Sequence, residues 1–522
     1  MDAHETPPAD VESIADNTEA DDTEKVRKRW IRRLLAVVAT HAVVTLIAVF
    51  VAFVIGWAIA SRGYRDLEPW HRAGPESEFV ASDAAEGYTL DDYLAQEAAI
   101  FDELDELIDV EWAGATESLL SRYRAGSPTD PRAVLDRNWN RTFVLAPEGD
   151  PVGGVLLVHG LSDSPYSMRA LAEQLRDSGW LAVGLRVPGH GTTPAALGEA
   201  RIADWKAAVR VAAAGVRERV GDAPTIMVGF SNGGALVVSE TLREIDAGEV
   251  HTDGLVLISP MIGVSPFAQL TRVSHVLSWM KPFEKFKWLK VEAEIDPFKY
   301  SSFSQDQSER AWLLTKRVES RIATLHKRGE LGAMPPVLAF QSVVDSTVNA
   351  QALVDRLMSK LPAEPAIGGE HRLVLFDVNA RAMEADLLKE GVDRVATALL
   401  AGPATDFALT VIGTDDDSGS VASIHRPPGT TDTTTTPLDL RWPEDVFSLS
   451  HGCLAIPADD PILGTAEATQ VSGLPFGTLS MRGETGVLSL SPSWLIRQRF
   501  NPFFRVVSEG TDAFAQSRTG VR

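Results

Sequence analysis

The stretch that decides the fold reads Thr225-Ile226-Met227-Val228-Gly229-Phe230-Ser231-Asn232-Gly233-Gly234. Thr225–Val228 is β-branched and apolar, the composition of a buried strand. Gly229–Gly233 matches G-x-S-x-G, and a helical pattern runs from Gly234 to about Ile245. Strand, tight turn and helix in that order are the setting of a nucleophile elbow. The glycines are needed because the two backbones pass closely. The turn presents the Ser231 hydroxyl at a helix N-terminus, where free N–H groups favour an anion. An ordinary βα turn has the same outline, so a reactive Ser231 also needs partners elsewhere in the chain.

Outward from the elbow, Arg141–Ala146, Gly154–Val158, Leu181–Val187, Leu255–Ile258, Pro336–Phe340 and Leu373–Phe376 read as strands. Ser167–Ser178 and Ile202–Val220 read as helices. Strands that are apolar throughout, alternating with amphipathic helices, predict an α/β fold with a mostly parallel sheet covered on both faces. An oxyanion hole needs two backbone N–H groups. Asn232, just after the serine, offers one. Leu161, on the His159-Gly160-Leu161 loop after an earlier strand, offers the other, while His159 itself only shapes the loop.

In such a sheet the acid follows the serine and the histidine follows the acid. Asp345 sits on the loop after Pro336–Phe340, at a strand's C-terminal end, where ligand chemistry gathers. Asp377, after Leu373–Phe376, is the competing carboxylate. Three histidines follow Asp345: His371, His425 and His451. His371 opens a strand, at the wrong edge. His425 leads into Arg426-Pro427-Pro428. His451 lies in Leu449-Ser450-His451-Gly452-Cys453, a loop after Val446-Phe447, and is the preferred base.

With the His159-Gly160 turn, Pro188-Gly189-His190-Gly191, the Ser231 elbow, Asp345 followed by Val348, and His451 with Pro457, residues 140–460 resemble an α/β-hydrolase. The likeness is to the lysophospholipase, monoglyceride-lipase and serine-aminopeptidase-like branch. The resemblance implies Ser231 as nucleophile, Asp345 as orienting acid, His451 as general base, and Leu161 and Asn232 as oxyanion donors, with no metal and no cofactor. Ser342 stands where that branch has Gly. Asp345 and His451 lie about a hundred residues apart, far more than the branch needs, which implies an insertion at about 378–445. Residues 262–334 occupy the place of a cap. There Trp279, Phe283, Phe286 and Trp288 interleave with lysines, as in an amphipathic lid facing a lipid or equally in an ordinary helical cap. Thr430–Thr436 reads as a disordered Thr-rich loop, and 461–522 as a C-terminal extension. The expected activity is cleavage of a small-molecule or lipid ester. An amidase or peptidase of the same fold, or a catalytically inactive binding domain, is the alternative.

The N-terminal part is of another character. Residues 2–24 hold acids and no Lys or Arg, and then Lys25, Arg27, Lys28, Arg29, Arg32 and Arg33 follow. Residues 1–33 therefore read as a disordered cytoplasmic tail with a basic flank. Residues 34–60 carry no Asp, Glu, Lys or Arg, long enough for a single transmembrane helix. The positive-inside rule puts the N-terminus in the cytoplasm and the catalytic domain outside it, periplasmic or extracellular. Ala58-Ile59-Ala60 resembles a signal cleavage site, but the apolar run is longer than a signal core, which favours an uncleaved anchor. Residues 61–135 form a bridge in which Leu90–Val110 reads as an amphipathic helix packing on the main domain. The 522-residue chain has a net charge of −23 and one cysteine, Cys453. That excludes a nucleic-acid binder acting through its overall field, an intramolecular disulfide and a cysteine-based zinc site. Oligomeric state is not encoded in any pattern here.

Overall fold

Five strands are buried from end to end among the described residues: Gly153–Val158, Trp180–Leu185, Thr225–Phe230, Gly254–Ile258 and Val337–Ser342. A strand with no solvent side must have helices on both faces. The computed structural model describes residues 13–61, 65–263, 281–379, 394–414, 419–443, 446–469, 476–478 and 496–520. In chain order the strands are β1 (Phe143–Leu145), β2 (Gly153–Val158), β3 (Trp180–Leu185), β4 (Thr225–Phe230), β5 (Gly254–Ile258), β6 (Trp288–Lys290), β7 (Phe303–Ser304), β8 (Val337–Ser342), β9 (Arg372–Phe376), β10 (Ala408–Thr414), β11 (Ser420–Arg426) and β12 (Thr434–Arg441). The helices are α1 (Ser13–Ser61), α2 (Leu90–Glu106), α3 (Arg169–Asp177), α4 (Pro194–Glu199), α5 (Ile202–Val220), α6 (Asn232–Ala247), α7 (Gln305–Arg328), α8 (Ala350–Arg356), α9 (Arg394–Ala401) and α10 (Phe504–Gln516).

Ten of these strands form one sheet in the order β1-β3-β2-β4-β5-β8-β9-β10-β11-β12. From β3 to β10 all neighbours are parallel; β1, β11 and β12 pair antiparallel at the two ends. This is the mostly parallel α/β sheet that the sequence predicts. Side chains alternate across it with period two. Leu156 and Val158 pack with α5, α6 and α7, whereas Val155 and Leu157 pack with α3 and with Val507 and Phe514 of α10. The described residues of 461–522, the expected C-terminal extension, thus supply part of the core on one face.

The chain divides into two compact units, Met1–Tyr64 and Arg65–Arg522. In the first, α1 is a continuous helix that starts at Ser13, so residues 13–33 are helical where a disordered tail was expected; residues 1–12 lie outside the described residues. Once an apolar segment has nucleated a helix, each further residue adds a hydrogen bond at little extra cost. Glu24 and Lys28, four apart and 2.7 Å from each other, support the charged turns. Thr23–Gly56 has a mean hydropathy of 2.6 over its most apolar window, enough in length and composition to cross a membrane, as a signal sequence also is.

In the second unit, α2 begins where Thr89 accepts from Asp92 N–H and Asp92 answers with its side chain, a reciprocal cap. It buries Leu90, Tyr93, Ile100, Phe101 and Leu104, and widens into a single π-turn at Leu107–Glu111. Glu97 is buried too. It accepts from Thr142 N–H and Oγ1, each at 2.6 Å, and pairs with Arg186 at 3.2 Å. The Arg186 guanidinium, wholly buried, also pairs with Glu78 at 2.8 Å and donates to His190 O at 3.0 Å. This network ties residues 78–97 to the turn after β3. Arg186→Ala would leave Glu97 buried and unpaired, which costs about 3–5 kcal/mol. Urea unfolding of the variant followed by circular dichroism should show that loss, and a change below about 1 kcal/mol would remove the network from the stability argument.

Residues 264–280 of the expected cap, Trp279 among them, lie outside the described residues. Phe286 and Trp288 are buried, with the Trp288 ring edge-on to His71 at 5.1 Å. They pack inward, as in an ordinary cap rather than a lipid-facing surface. The expected insertion at 378–445 enlarges the sheet. After β9 the chain crosses through α9 and rises again as β10, returns as β11 and rises once more as β12. Three strand passes after one crossover leave the chain at the sheet's C-terminal edge, ready to enter the loop of His451. Thr434–Thr436, expected to be disordered, belong to β12 and pair with His425, Ile424 and Ser423. β-branched threonines suit a pleated edge strand as well as they suit a polar loop.

Candidate active site

Ser231 links β4 to α6 with φ 53° and ψ −115°, a conformation that non-glycine residues rarely adopt. Two hydrogen bonds fix it: Ser231 N–H to Ile258 O at 2.9 Å, and Met261 N–H to Ser231 O at 2.8 Å. The flanking glycines leave no room for a side chain. A Cβ on Gly229 would lie 2.6 Å from the Gly233 carbonyl carbon, and one on Gly233 would collide with Val158 O.

His451 stands over the serine. Its Nε2 is 2.8 Å from Ser231 Oγ and its Nδ1 2.6 Å from Asp345 Oδ2. With Asp345 ionised, Nδ1–H donates to the carboxylate and Nε2 is left to accept from the Ser231 hydroxyl. The other carboxylate oxygen, Asp345 Oδ1, accepts from Thr347 N–H at 2.7 Å and Val348 N–H at 2.9 Å. Burial by itself pushes the Asp345 carboxyl up, but His451 and these N–H groups outweigh it and hold it below the ordinary carboxylate value. The Phe230 ring stacks on the imidazole at 5.7 Å.

Three positioning residues carry no sequence signal of their own. Ser342 donates to Leu449 O at 2.9 Å. It thereby ties β8 to the His451 loop, a bond the glycine of the related pattern would lack. Asn379, just past β9, holds the same loop through Val446 O and Phe447 O. Gln341 donates to Asp345 Oδ2 at 3.0 Å. The signal that could have found them is their position: each lies at or just beyond a strand's C-terminal end.

The rejected candidates sit elsewhere. His371 precedes β9 at the opposite edge, where its Nδ1 accepts from Val337 N–H at 3.1 Å and burial lowers its pKa to about 4. His425 meets Thr410 Oγ1 at 3.1 Å on the β10–β11 pair. Asp377 accepts from Val378 N–H. The loop after β2 lies against the elbow, since a Cβ on Gly160 would be 3.2 Å from Ser231 Cβ. Among the described residues, the N–H groups of Leu161 and Asn232 find no hydrogen-bond acceptor, the condition for an oxyanion to use them. His159 donates from Nδ1 to Gly160 O and accepts at Nε2 from Val187 N–H, and burial drives its pKa well below the ordinary value. It is a neutral brace for the loop.

The sheet order and the elbow are those of the α/β-hydrolase fold. Residues 149–324 match the family described as serine aminopeptidase, S33, a stretch that includes Leu161, Ser231 and Asn232 and stops short of Asp345. The chain is 39% identical over 92 residues to a thermostable monoacylglycerol lipase of Bacillus sp. (strain H-257); that match spans 17% of this chain and 35% of the relative. Among solved structures, a monoacylglycerol lipase from Paleococcus ferrophilus aligns at 18% identity and TM-score 0.34, over 45% of this chain and 88% of that one. A monoglyceride lipase from Saccharomyces cerevisiae aligns at 15% identity and TM-score 0.33, over 45% and 81%. The domain's likeness lies within the α/β-hydrolases, in the branch of the serine aminopeptidases and monoglyceride lipases.

Proposed function

We propose that the protein is a membrane-anchored serine hydrolase that cleaves a carboxylic ester through an acyl-enzyme. The observation that carries this reading is the unbroken hydrogen-bonded line Ser231–His451–Asp345 at the elbow. In the proposed reaction His451 Nε2 takes the proton from Ser231 Oγ as the oxygen attacks the ester carbonyl. The N–H groups of Leu161 and Asn232 hold the developing oxyanion. His451 passes its proton to the departing alcohol, and water then releases the acid by the same steps in reverse. Asp345 keeps the imidazole in the required tautomer throughout. A cavity of about 180 Å³ beside His451 has Val344, Val446, Phe447, Leu449 and Ile496 to take an acyl chain, with Ser346, Ser448, Ser450, Arg497 and Gln498 completing its lining.

The same machinery serves an amide, and the serine aminopeptidase description of residues 149–324 favours keeping that as the second reading. The basic flank at Lys25–Arg33 and the apolar span of α1 support an N-terminus in the cytoplasm with the hydrolase domain outside it. The full chain in carbonate-washed membranes should retain labelling by a fluorophosphonate probe and cleave p-nitrophenyl esters at least about tenfold faster than the matching anilides, a gap of about 1.4 kcal/mol in barrier. Faster anilide cleavage would move the assignment to the amidases. Absence of both labelling and turnover would leave an inactive binding domain, and activity washed off with carbonate would refute the anchor.

A further inference from the structure

A second cavity, of about 170 Å³, opens between the loop of Leu161 and the loop of His451, bounded by Asp163 and Ser167 on one side and Ser450 and Gly452 on the other. At about 30 Å³ per molecule of liquid water, that is room for a group of several heavy atoms. Its charge runs against that of the chain. In a protein of net charge −23 the lining brings together four cations, Lys290, Lys299, Arg497 and Arg499, against two acids, Asp163 and Asp296.

The acids neutralise only part of this charge. Asp296 is already engaged: its Oδ1 accepts from Phe298 N–H and Lys299 N–H, and its Oδ2 pairs with Arg499 at 3.2 Å. Burial raises the Asp163 pKa, and the pull of Lys299 opposes it. Lys290 is matched by Glu292 at 2.8 Å. Lys299 and Arg497 remain, and neither makes an ion pair among the described residues; Arg497 only donates to Ser346 Oγ at 3.1 Å. Two further polar atoms of lining residues, Ser301 Oγ and Gln498 Nε2, are buried with no hydrogen-bond partner among the described residues. Burying polar groups without partners costs free energy that a ligand rich in acceptors would recover. Lys299 is half-buried and Arg497 exposed, so both remain open to a ligand arriving from solvent.

We propose that this cavity is a subsite for an anionic group, a phosphate or carboxylate, carried on the alcohol side of the ester. This rests on the hydrolase reading above. Lys299 and Arg497 supply the charge, Ser301 and Gln498 the hydrogen bonds, and the two bounding loops set the group beside the reacting serine. The neutral glycerol of a monoglyceride would leave the cations unmatched.

The test compares two soluble substrates with the same acyl chain, 1-butanoylglycerol and 1-butanoylglycerol 3-phosphate, on the full chain in detergent. The kcat/KM ratio should favour the phosphate-bearing ester by about tenfold or more, shrink as salt is added, and collapse towards one in Lys299→Gln/Arg497→Gln. A ratio near one in the wild type, or a ratio retained in the double variant, overturns the proposal while leaving the hydrolase reading in place. Calorimetry with glycerol 3-phosphate, glycerate and glycerol reads the subsite without turnover and separates the two anions. Binding of either anion but not of glycerol, lost in the double variant, supports the subsite even if no ester is cleaved, in which case the hydrolase reading is what fails. Absence of anion binding overturns the subsite.

Discussion

Ser231→Ala should abolish fluorophosphonate labelling and ester turnover, and His451→Ala should lower kcat by about 10⁴-fold or more. Both expectations follow from one geometry. A serine hydroxyl has little reactivity of its own at neutral pH; in the proposed reaction the imidazole nitrogen at 2.8 Å supplies it by accepting the proton during attack. Members of such a unit act together, so loss of either should cost nearly as much as loss of both, and the double variant should be no slower than the worse single one. His425→Ala is the control, because His425 meets Thr410 on the β10–β11 pair and is exposed. It should leave kcat within a few-fold. Unfolding curves that overlay would show that the losses are chemical; Ala at position 231 inherits the same backbone conformation and removes only one oxygen. Persistent labelling of Ser231→Ala would disprove the nucleophile assignment, and His425→Ala falling as far as His451→Ala would transfer the base.

How much of this was legible in the sequence depends on how local each signal is. The elbow is local: a β-run, two glycines around x-Ser-x and a helix fall within twenty residues, so both the parallel sheet and Ser231 can be read from pattern alone. Ile202–Val220 is a helix with the same limits in sequence and structure, because apolar spacing and the Gly221 stop coincide. The His451 loop is not local. Its place depends on the parity of strand passes between β9 and β12, and β12 is an exposed polar strand whose threonines resemble a linker. Only Leu438-Asp439-Leu440 alternate, too short a run to mark it, since it is an edge with little to bury. The start of α1 is hidden for a related reason. Composition describes what a segment does alone, whereas Ser13–Arg33 are helical in continuity with the apolar run that follows. Ser342 looked like a departure from the related pattern, and only the tertiary contact with Leu449 O gives it a role.

The acid gives the second large effect. Asp345→Asn should lower kcat by about 10⁴-fold while leaving the serine and histidine in place. As a carboxylate, Asp345 Oδ2 can only accept, so Nδ1 must carry a hydrogen and Nε2 must be bare towards Ser231. An amide that turns its NH₂ to Nδ1 reverses this: Nδ1 accepts, Nε2 carries the hydrogen, and the imidazole faces the serine as a donor that cannot take its proton. The alternative rotamer, with the amide oxygen towards His451, would put the NH₂ against Thr347 N–H and Val348 N–H, which are both donors. The wild-type loop thus enforces the wrong tautomer in the variant. The stability consequence has a definite sign. Asp345 has a lowered pKa in the folded protein, so its charge stabilises the fold above the unfolded carboxylate value, and that contribution fades as pH falls through the folded value. The variant should therefore be less stable than the wild type at neutral pH, with the gap closing in acid. Kinetics and pH-dependent unfolding on the same preparation separate the two effects: a 10⁴-fold loss with the gap present at pH 7 and narrowing in acid fits an ionised, tautomer-setting acid. Near-normal turnover by Asp345→Asn would exclude that role and redirect attention to Asp377.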